Sequence, residues 1–97
     1  MNVISQQPLR EFWRRHPDAE EPLRSWYRTC RKAHWRKLDD VQNTYPHADV
    51  YGTCTVFNAG GNKYRLVVKI NYARQAIYIK HVLTHAEYDR ERWKNDC

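Results

Sequence analysis

Long apolar runs are missing from this sequence, and none approaches the roughly 20 residues that a membrane-spanning helix needs. The opening residues, MNVISQQPLR, also lack the charged and then apolar order of a secretory signal peptide. No internal repeat, linker or low-complexity tract divides the 97 residues, so we expect a single domain over 1–97 with one modest core. These absences argue against a membrane partner and a separate cofactor domain, and they predict a cytoplasmic protein.

Cysteine is scarce, and its spacing is not that of a metal or redox motif. The cysteines are Cys30, Cys54 and Cys97, which are far apart and form no CxxC pair. Because disulfides are rare in the reducing cytoplasm, we expect all three to be free thiols.

Acidic residues are outnumbered. The chain has 17 Lys and Arg against 11 Asp and Glu, which gives a net charge of +6. An excess of positive charge favours a polyanionic partner. Nucleic acid is the first candidate, and an acidic protein is the second.

Helical patterns fill the first half of the chain, and strand patterns fill the second. Apolar side chains recur at helical spacing from Leu9 to Trp13 and from Leu23 to Cys30, whereas β-branched and aromatic residues dominate after His47. The predicted elements are a strand at 2–5, a helix starting at Pro8 and broken at His16-Pro17, helices over 19–33 and near 38–44, strands over 53–57, 63–71 and 75–83, and a helix starting at Thr84. This order predicts an α+β fold, with N-terminal helices packed on one face of an antiparallel sheet and a short C-terminal helix.

Alternation along the strands separates a core face from a second, open face. The residues expected to face the helices are Tyr64, Leu66, Val68, Ile70, Ile77 and Ile79. Those expected on the open face are Lys63, Arg65, Lys69, Tyr78 and Lys80. A basic open face suits a phosphate backbone, but lysines also protect a solvated sheet from edge-to-edge association, so both interpretations stay open.

The sequence Thr-His-Ala-Glu beginning at Thr84 matches the capping box of a helix start, with Glu87 at the third helical position. Leu83 and Tyr88 occupy the two positions of a hydrophobic staple. His85 then falls in the first turn, beside backbone N–H groups that we expect to be free to hold an anion.

His81 and His85 are separated by three residues, a spacing also found among zinc ligands. The first falls on a strand and the second on a helix, with no cysteine pair or third ligand nearby in the sequence. We therefore predict no metal and no cofactor, and a metal-dependent hydrolase is the weakest alternative. From its strand position we expect His81 to be a hydrogen-bonded histidine at the edge of the core.

These groups match the requirements of RNA cleavage. A base removes the proton of a 2′-OH group that attacks the adjacent phosphate, cations stabilise the charge that develops, and an acid protonates the leaving 5′-oxygen. His85 suits the proton transfer, and Arg65 can bind a phosphate through two nitrogens. Tyr88 can orient the base or share the proton transfer, while Lys69 and Lys80 can hold neighbouring phosphates.

Two motifs in the second half of the chain, FNAGGNKYRLVVKI and YIKHVLTHAEYD, resemble the HigB family of toxins from bacterial toxin–antitoxin pairs, which belongs to the RelE-like group. The most specific parts are Phe57-Asn58 with Gly60-Gly61-Asn62, and Thr84-His85 with Glu87-Tyr88-Asp89. The N-terminal half contains LREFWRRHPDAEEPLRSWYR and AHWRKLDDVQNTYPHAD in the order of the family. The resemblance therefore extends over nearly the whole chain.

The resemblance implies an mRNA endonuclease that acts on messages at the ribosomal A site and is silenced by a HigA-type antitoxin. It implies the RelE-like fold, a curved antiparallel sheet with helices on one side. It also implies that Arg65, in the Tyr64-Arg65 pair, binds phosphate and that Tyr88 takes part in catalysis, with His85 in the same region. We further expect Asn62, Lys63, Lys69 and Lys80 to contact the RNA.

A binding module without catalysis is the alternative function. Such a protein would hold RNA or an acidic protein through the same basic face, and it would have no need of His85 or Tyr88 as proton carriers. An Arg65→Ala change would damage both functions, whereas His85→Ala would slow only cleavage, by roughly 10²–10⁴-fold.

Overall fold

Three helices separate the first strand from the other four strands. The computed structural model describes residues 1–97. Its elements are β1 Asn2–Ile4, α1 Gln7–Arg15, a 3₁₀ turn at Pro17–Ala19, α2 Glu20–Lys32, α3 Leu38–Thr44, β2 Asp49–Tyr51, β3 Cys54–Ala59, β4 Tyr64–Asn71, β5 Ala76–Thr84, α4 His85–Asp89 and a 3₁₀ helix at Arg92–Asp96. The predicted helices and strands are all present, but β2 was not predicted. None of the helices has the length and apolar character that crossing a membrane requires.

The five strands form one mixed sheet in the order β1-β5-β4-β3-β2. Strands β2 to β5 are an antiparallel meander, as predicted, whereas β1 pairs in parallel with β5 at the edge. The amino group of Met1 donates hydrogen bonds to the carbonyls of Cys30 and Ala33, at the end of α2. These bonds hold the first strand against the helical layer. The predicted α+β class is confirmed.

The main core lies between the helices and one face of the sheet. Leu9 and Phe12 of α1 and Leu23 and Trp26 of α2 are buried there, because their spacing places them on one side of each helix. Phe57 of β3 meets the Trp26 ring edge-on, with ring centroids 5.5 Å apart. This packing fixes the inner face of β3 and β4 and directs the alternate residues to the second face.

The second face of the sheet is partly covered, so the prediction of an open face is wrong at its centre. Cys54, Val56 and Val67 form a small core there with Trp93, whose exposed fraction is 4%. Trp93 belongs to the chain segment 85–97, which folds back over β3 and β4; we call this segment the cover. The strand pattern did not indicate this cover, because its contacts are distant in sequence.

A β-bulge between β4 and β5 changes which side chains share a face. Val67 pairs with His81 and Val68 pairs with Ile79, which leaves Lys80 as the extra residue. Strict alternation had assigned His81 to the edge of the main core. The bulge instead places it on the second face with Val67, so that assignment is wrong.

The cover is tied to the sheet at its far end. The Sγ atoms of Cys54 and Cys97 form a disulfide between residues 43 positions apart. The amide of Thr53 also donates a hydrogen bond to the carbonyl of Cys97, at 3.0 Å. Only Cys30, buried in the main core, is a free thiol. The expectation of three free thiols is therefore wrong in this structure.

Candidate active site

Arg65 is a buried cation on the second face, near the start of β4 and the β3–β4 turn. Its exposed fraction is 9%. Its Nη1 atom donates to the carbonyl oxygens of Asn62, at 2.8 Å, and Tyr64, at 3.2 Å. No acidic side chain forms an ion pair with it. Its Nε and Nη2 atoms have no acceptor in the protein, yet they are not sealed from solvent. Two N–H-bearing nitrogens of Arg65 therefore remain available to an anion.

An aromatic pair from the cover holds the guanidinium in place. The Arg65 guanidinium carbon lies 5.0 Å from the centre of the Tyr88 ring. Tyr88 in turn stacks on Trp93, with centroids 5.1 Å apart and ring planes within 10°. The Trp93 indole donates to the Tyr88 carbonyl at 3.0 Å. Such a cation–π arrangement restricts the arginine without using its hydrogen-bond donors.

The helix start before Tyr88 has the predicted capping box. The Glu87 amide donates to Thr84 Oγ1, and the Thr84 amide donates to Glu87 Oε1 at 2.9 Å. This backbone hydrogen bond holds the pKa of the Glu87 carboxyl below its usual range. The His85 amide donates to the carbonyl of Lys63 at 3.1 Å. The N–H groups of Thr84, His85 and Glu87 are therefore already used, and the expectation that they are free to hold an anion is wrong.

His85 is held by Asp89, a residue of the family motif to which the sequence alone assigned no role. Its Nδ1 atom lies 2.9 Å from Oδ2 of Asp89, one helical turn later, and 53% of its side chain is exposed. The four-residue spacing of these two side chains was the signal for this contact. Asp89 orients the imidazole and leaves Nε2 directed away from the pair, so this nitrogen is available for proton transfer.

The lysines fall into two groups. Lys63 lies in the β3–β4 turn and forms an ion pair with Asp18, which also accepts a hydrogen bond from the Tyr64 hydroxyl. The hydrogen bonds from Lys63 and Tyr64 hold the pKa of Asp18 below its usual value. Since Asp18 belongs to the helical layer, the placement of Lys63 on the open face is wrong. Lys69 and Lys80 form no ion pair.

The side chain of Lys69 lies on the same face of β4 as that of Arg65. The two residues are four positions apart, which places them about 13 Å from each other along the strand. Lys80 is the exposed residue at the β-bulge. Lys69 therefore lies toward the end of the β4–β5 pair that is away from the β3–β4 turn, whereas Lys80 lies near the middle of the pair. Asn62, in that turn, contacts Arg65 through its backbone carbonyl.

The two histidines with zinc-like spacing have separate partners. His81 Nε2 lies 2.6 Å from Oδ2 of Asp96, whereas His85 pairs with Asp89. No three His, Cys, Asp or Glu side chains come together in the structure. The residues present thus do not fit a zinc site. His81 is hydrogen-bonded, as predicted, but to the cover rather than at the edge of the main core.

Comparison with known proteins agrees with the sequence motifs. Residues 19–91 match the family described as HigB_toxin, RelE-like toxic component of a toxin–antitoxin system. The mRNA interferase HigB of Escherichia coli O6:H1 is 29% identical over 93 residues, which cover 93% of this chain and 90% of that protein. The mRNA interferase toxin HigB of Escherichia coli K12 and the mRNA interferase HigB of Shigella flexneri are each 30% identical over 92 residues, covering 92% of this chain and 88% of theirs. This chain belongs to the HigB family of RelE-like toxins.

Proposed function

We propose that this toxin is a cytoplasmic mRNA endoribonuclease that cuts translated messages on the ribosome and is silenced by a HigA-type antitoxin. The relatives that match over most of the chain are named mRNA interferases. The structural observation that carries the proposal is Arg65, a buried arginine with no acidic partner and with two unused nitrogens.

A buried guanidinium without a counterion is costly unless a ligand completes its contacts. The carbonyls of Asn62 and Tyr64 use only Nη1. A phosphate of the RNA would accept from Nη2 and Nε together, in the bidentate geometry that arginine favours. The same contact would stabilise the negative charge that builds on the phosphate oxygens during cleavage.

Proton transfer is assigned to the short helix α4. His85 and Tyr88 are three residues apart and therefore lie on one side of this helix, with Tyr88 against Arg65. His85 Nε2 takes the proton of the 2′-OH group as the 2′-oxygen bonds to phosphorus. The bond from phosphorus to the 5′-oxygen then breaks, and the leaving oxygen takes a proton from a general acid. The Tyr88 hydroxyl takes part in this proton transfer. The products are a 2′,3′-cyclic phosphate and a 5′-hydroxyl end.

The ribosome would supply the substrate orientation that this small site lacks. His85 is largely exposed, and Lys69 and Lys80 stand apart from Arg65, so free RNA is held at only a few points. The 2′-OH and the phosphate that it attacks belong to the same strand, so what the ribosome would add is their fixed alignment with each other and with the catalytic groups. We therefore expect the isolated toxin to cut free RNA poorly.

Mapping new mRNA 5′ ends after brief induction tests this function. The wild type should produce breaks inside translated regions and in phase with codons. Arg65→Ala and His85→Ala should lose these breaks. Arg10→Ala and His34→Ala, which remove exposed residues of the same types without ion pairs, should keep them. Growth arrest without new ends would instead identify a binding module that blocks translation without cleavage.

A further inference from the structure

A cleft of about 360 Å³ opens beside Arg65, and the cleavage mechanism does not use it. One wall comes from the segment between α3 and β2, and the other comes from β3 and the β3–β4 turn. The side chains relevant to binding are Tyr45, His47, Asn58 and Asn62. We call this feature the amide cleft. Its volume lies within the range of small-molecule sites.

The amide cleft is directly connected to the proposed phosphate site. Asn58 pairs with Arg65 across β3 and β4, so both side chains belong to the second face. The Asn62 carbonyl accepts a hydrogen bond from Arg65 Nη1 at 2.8 Å. An RNA phosphate bound to the free nitrogens of Arg65 would therefore lie beside the amide cleft, within reach of a base on an adjacent nucleotide.

The polar groups of the cleft present an acceptor and a donor that lack protein partners. A single long contact joins Asn58 Nδ2 to Asn62 Oδ1, at 3.4 Å. The Asn58 Oδ1 atom and the Asn62 Nδ2 group make no hydrogen bond to the protein. A nucleobase with an amino group beside a ring nitrogen would satisfy both, because its N–H would donate to Asn58 and its ring nitrogen would accept from Asn62. On the Watson–Crick edge, adenine and cytosine have this pair of groups, whereas guanine and uracil do not.

Two rings line the other wall. Tyr45 is fixed by edge-on packing against Phe57, with centroids 5.3 Å apart. His47 is exposed and makes no hydrogen bond or ion pair, so its imidazole is free to stack on a base. A stacking ring opposite paired amide groups is the arrangement by which proteins read an unstacked RNA base.

We propose that the amide cleft binds one nucleobase of the message, with Asn58 and Asn62 reading an amino edge and His47 stacking on its face. This inference rests on the proposed function, since the base belongs to the nucleotide next to the phosphate on Arg65. It assigns sequence preference to residues outside the catalytic group. Asn58 and Asn62 thereby determine which sites are cut.

The base composition around mapped cleavage sites tests the proposal. The wild type should show a preference for adenine or cytosine at one fixed position. Asn58→Ala should reduce that preference about tenfold, which corresponds to the loss of one good base contact. His47→Ala should lower cleavage at all sites and keep the preference, because stacking does not distinguish one base from another. Asn43→Ala and His34→Ala are matched controls on exposed sites away from the cleft, and they should keep the wild-type preference.

Other results separate this proposal from the proposed function. Normal cleavage with an unchanged base preference in both cleft variants would overturn the amide cleft alone. So would an Asn58→Ala protein that is folded but cuts all sequences equally slowly, because that result assigns Asn58 to the placement of Arg65. If the wild type does not cleave at all, the proposed function fails. NMR titration of the His85→Ala protein with the dinucleotides ApA, CpC and UpU then tests base binding in the amide cleft. The proposal requires chemical-shift changes at residues 45–48 and 58–62 with ApA or CpC, and none with UpU.

Discussion

Arg65 shows what a single residue can and cannot reveal through sequence. The strand pattern correctly placed it on the face opposite the helices, and its chemistry indicated phosphate binding. The pattern also predicted that it would be exposed, whereas it is buried. The difference arises because Tyr88 and Trp93 return over it from the end of the chain. Burial is what makes an unpaired arginine a strong indication of an anionic ligand.

His85, Tyr88 and Arg65 could be selected from the sequence because each has the chemistry that cleavage needs. Asp89 and Asn58 belong to the family motifs but were assigned no role, since a carboxylate or an amide on a surface has many ordinary roles. Their positions become meaningful only through distances: 2.9 Å from Asp89 to His85, and cross-strand pairing of Asn58 with Arg65.

Tyr88 allows its ring and its hydroxyl to be tested separately. Tyr88→Phe keeps the ring that contacts Arg65 and Trp93 but removes the hydroxyl. If the hydroxyl contributes to proton transfer, we expect cleavage to fall by about 10²–10⁴-fold with thermal stability unchanged. Yield of new mRNA ends and the melting temperature measure the two effects. Tyr78→Phe, at an exposed tyrosine of β5, is the control. Full activity of Tyr88→Phe would restrict the role of Tyr88 to positioning Arg65.

At the scale of elements, local signals were sufficient wherever the structure is local. The helix at Leu38–Thr44 and the capping box at Thr84 follow from spacing and residue type within a few positions. The parallel pairing of β1 with β5 and the bulge at Val67/Val68 depend on residues far apart in the chain. A one-residue change in register reverses which side chains share a face, so the assignment of His81 failed where the bulge begins.

The disulfide makes the cover sensitive to reduction. It links Cys54 to Cys97 across 43 positions and anchors the segment that carries Trp93. Removing a crosslink of this kind costs typically 2–4 kcal/mol of unfolding free energy, because the unfolded chain gains freedom. In denaturant titrations, we expect the same decrease in unfolding free energy for the wild type in reductant and for Cys97→Ser without reductant. Both are compared with the wild type without reductant. Cys97→Ser should not respond to reductant, and a wild type that also failed to respond would show that the bond contributes nothing to stability.

The contact of Asp18 with Lys63 and Tyr64 connects the turn between α1 and α2 to the start of β4, and it should depend on pH. These hydrogen bonds lower the pKa of Asp18 in the folded protein. A carboxyl group whose pKa is lower in the folded protein stabilises the fold at pH values above its unfolded pKa, about 3.9. This stabilisation is lost as the pH falls through the pKa of the folded state. Asp18→Asn should therefore lower the melting temperature near pH 7, and the difference from wild type should shrink below about pH 4. Asp39→Asn, at an exposed carboxylate of α3, is the control. A difference that stays constant down to pH 2 would contradict the assignment.

At the scale of the whole molecule, net charge indicated the class of partner but not the surface it uses. Several cations are neutralised by carboxylates, among them Lys63 by Asp18, Lys94 by Glu91 and Arg24 by Glu20. Arg65, Lys69 and Lys80 have no such partner and belong to the adjacent strands β4 and β5. The composition could show an excess of +6 but could not show which cations stay unpaired, because pairing depends on the fold. Strands β4 and β5 therefore carry three of the unpaired cations, and we expect an antitoxin that covers these strands to compete with the message.

The salt dependence of RNA binding measures which cations meet phosphates. Each phosphate contact on single-stranded RNA contributes about 0.7 to the slope of log affinity against log salt concentration. In the non-cleaving His85→Ala background, Lys69→Ala and Lys80→Ala should each reduce the slope for an RNA oligonucleotide by about that amount. Lys63→Ala is the matched comparison, and it should leave the slope unchanged because Asp18 already neutralises this lysine. Equal reductions for all three variants would mean that RNA displaces the Asp18 contact and that the binding region extends to the β3–β4 turn.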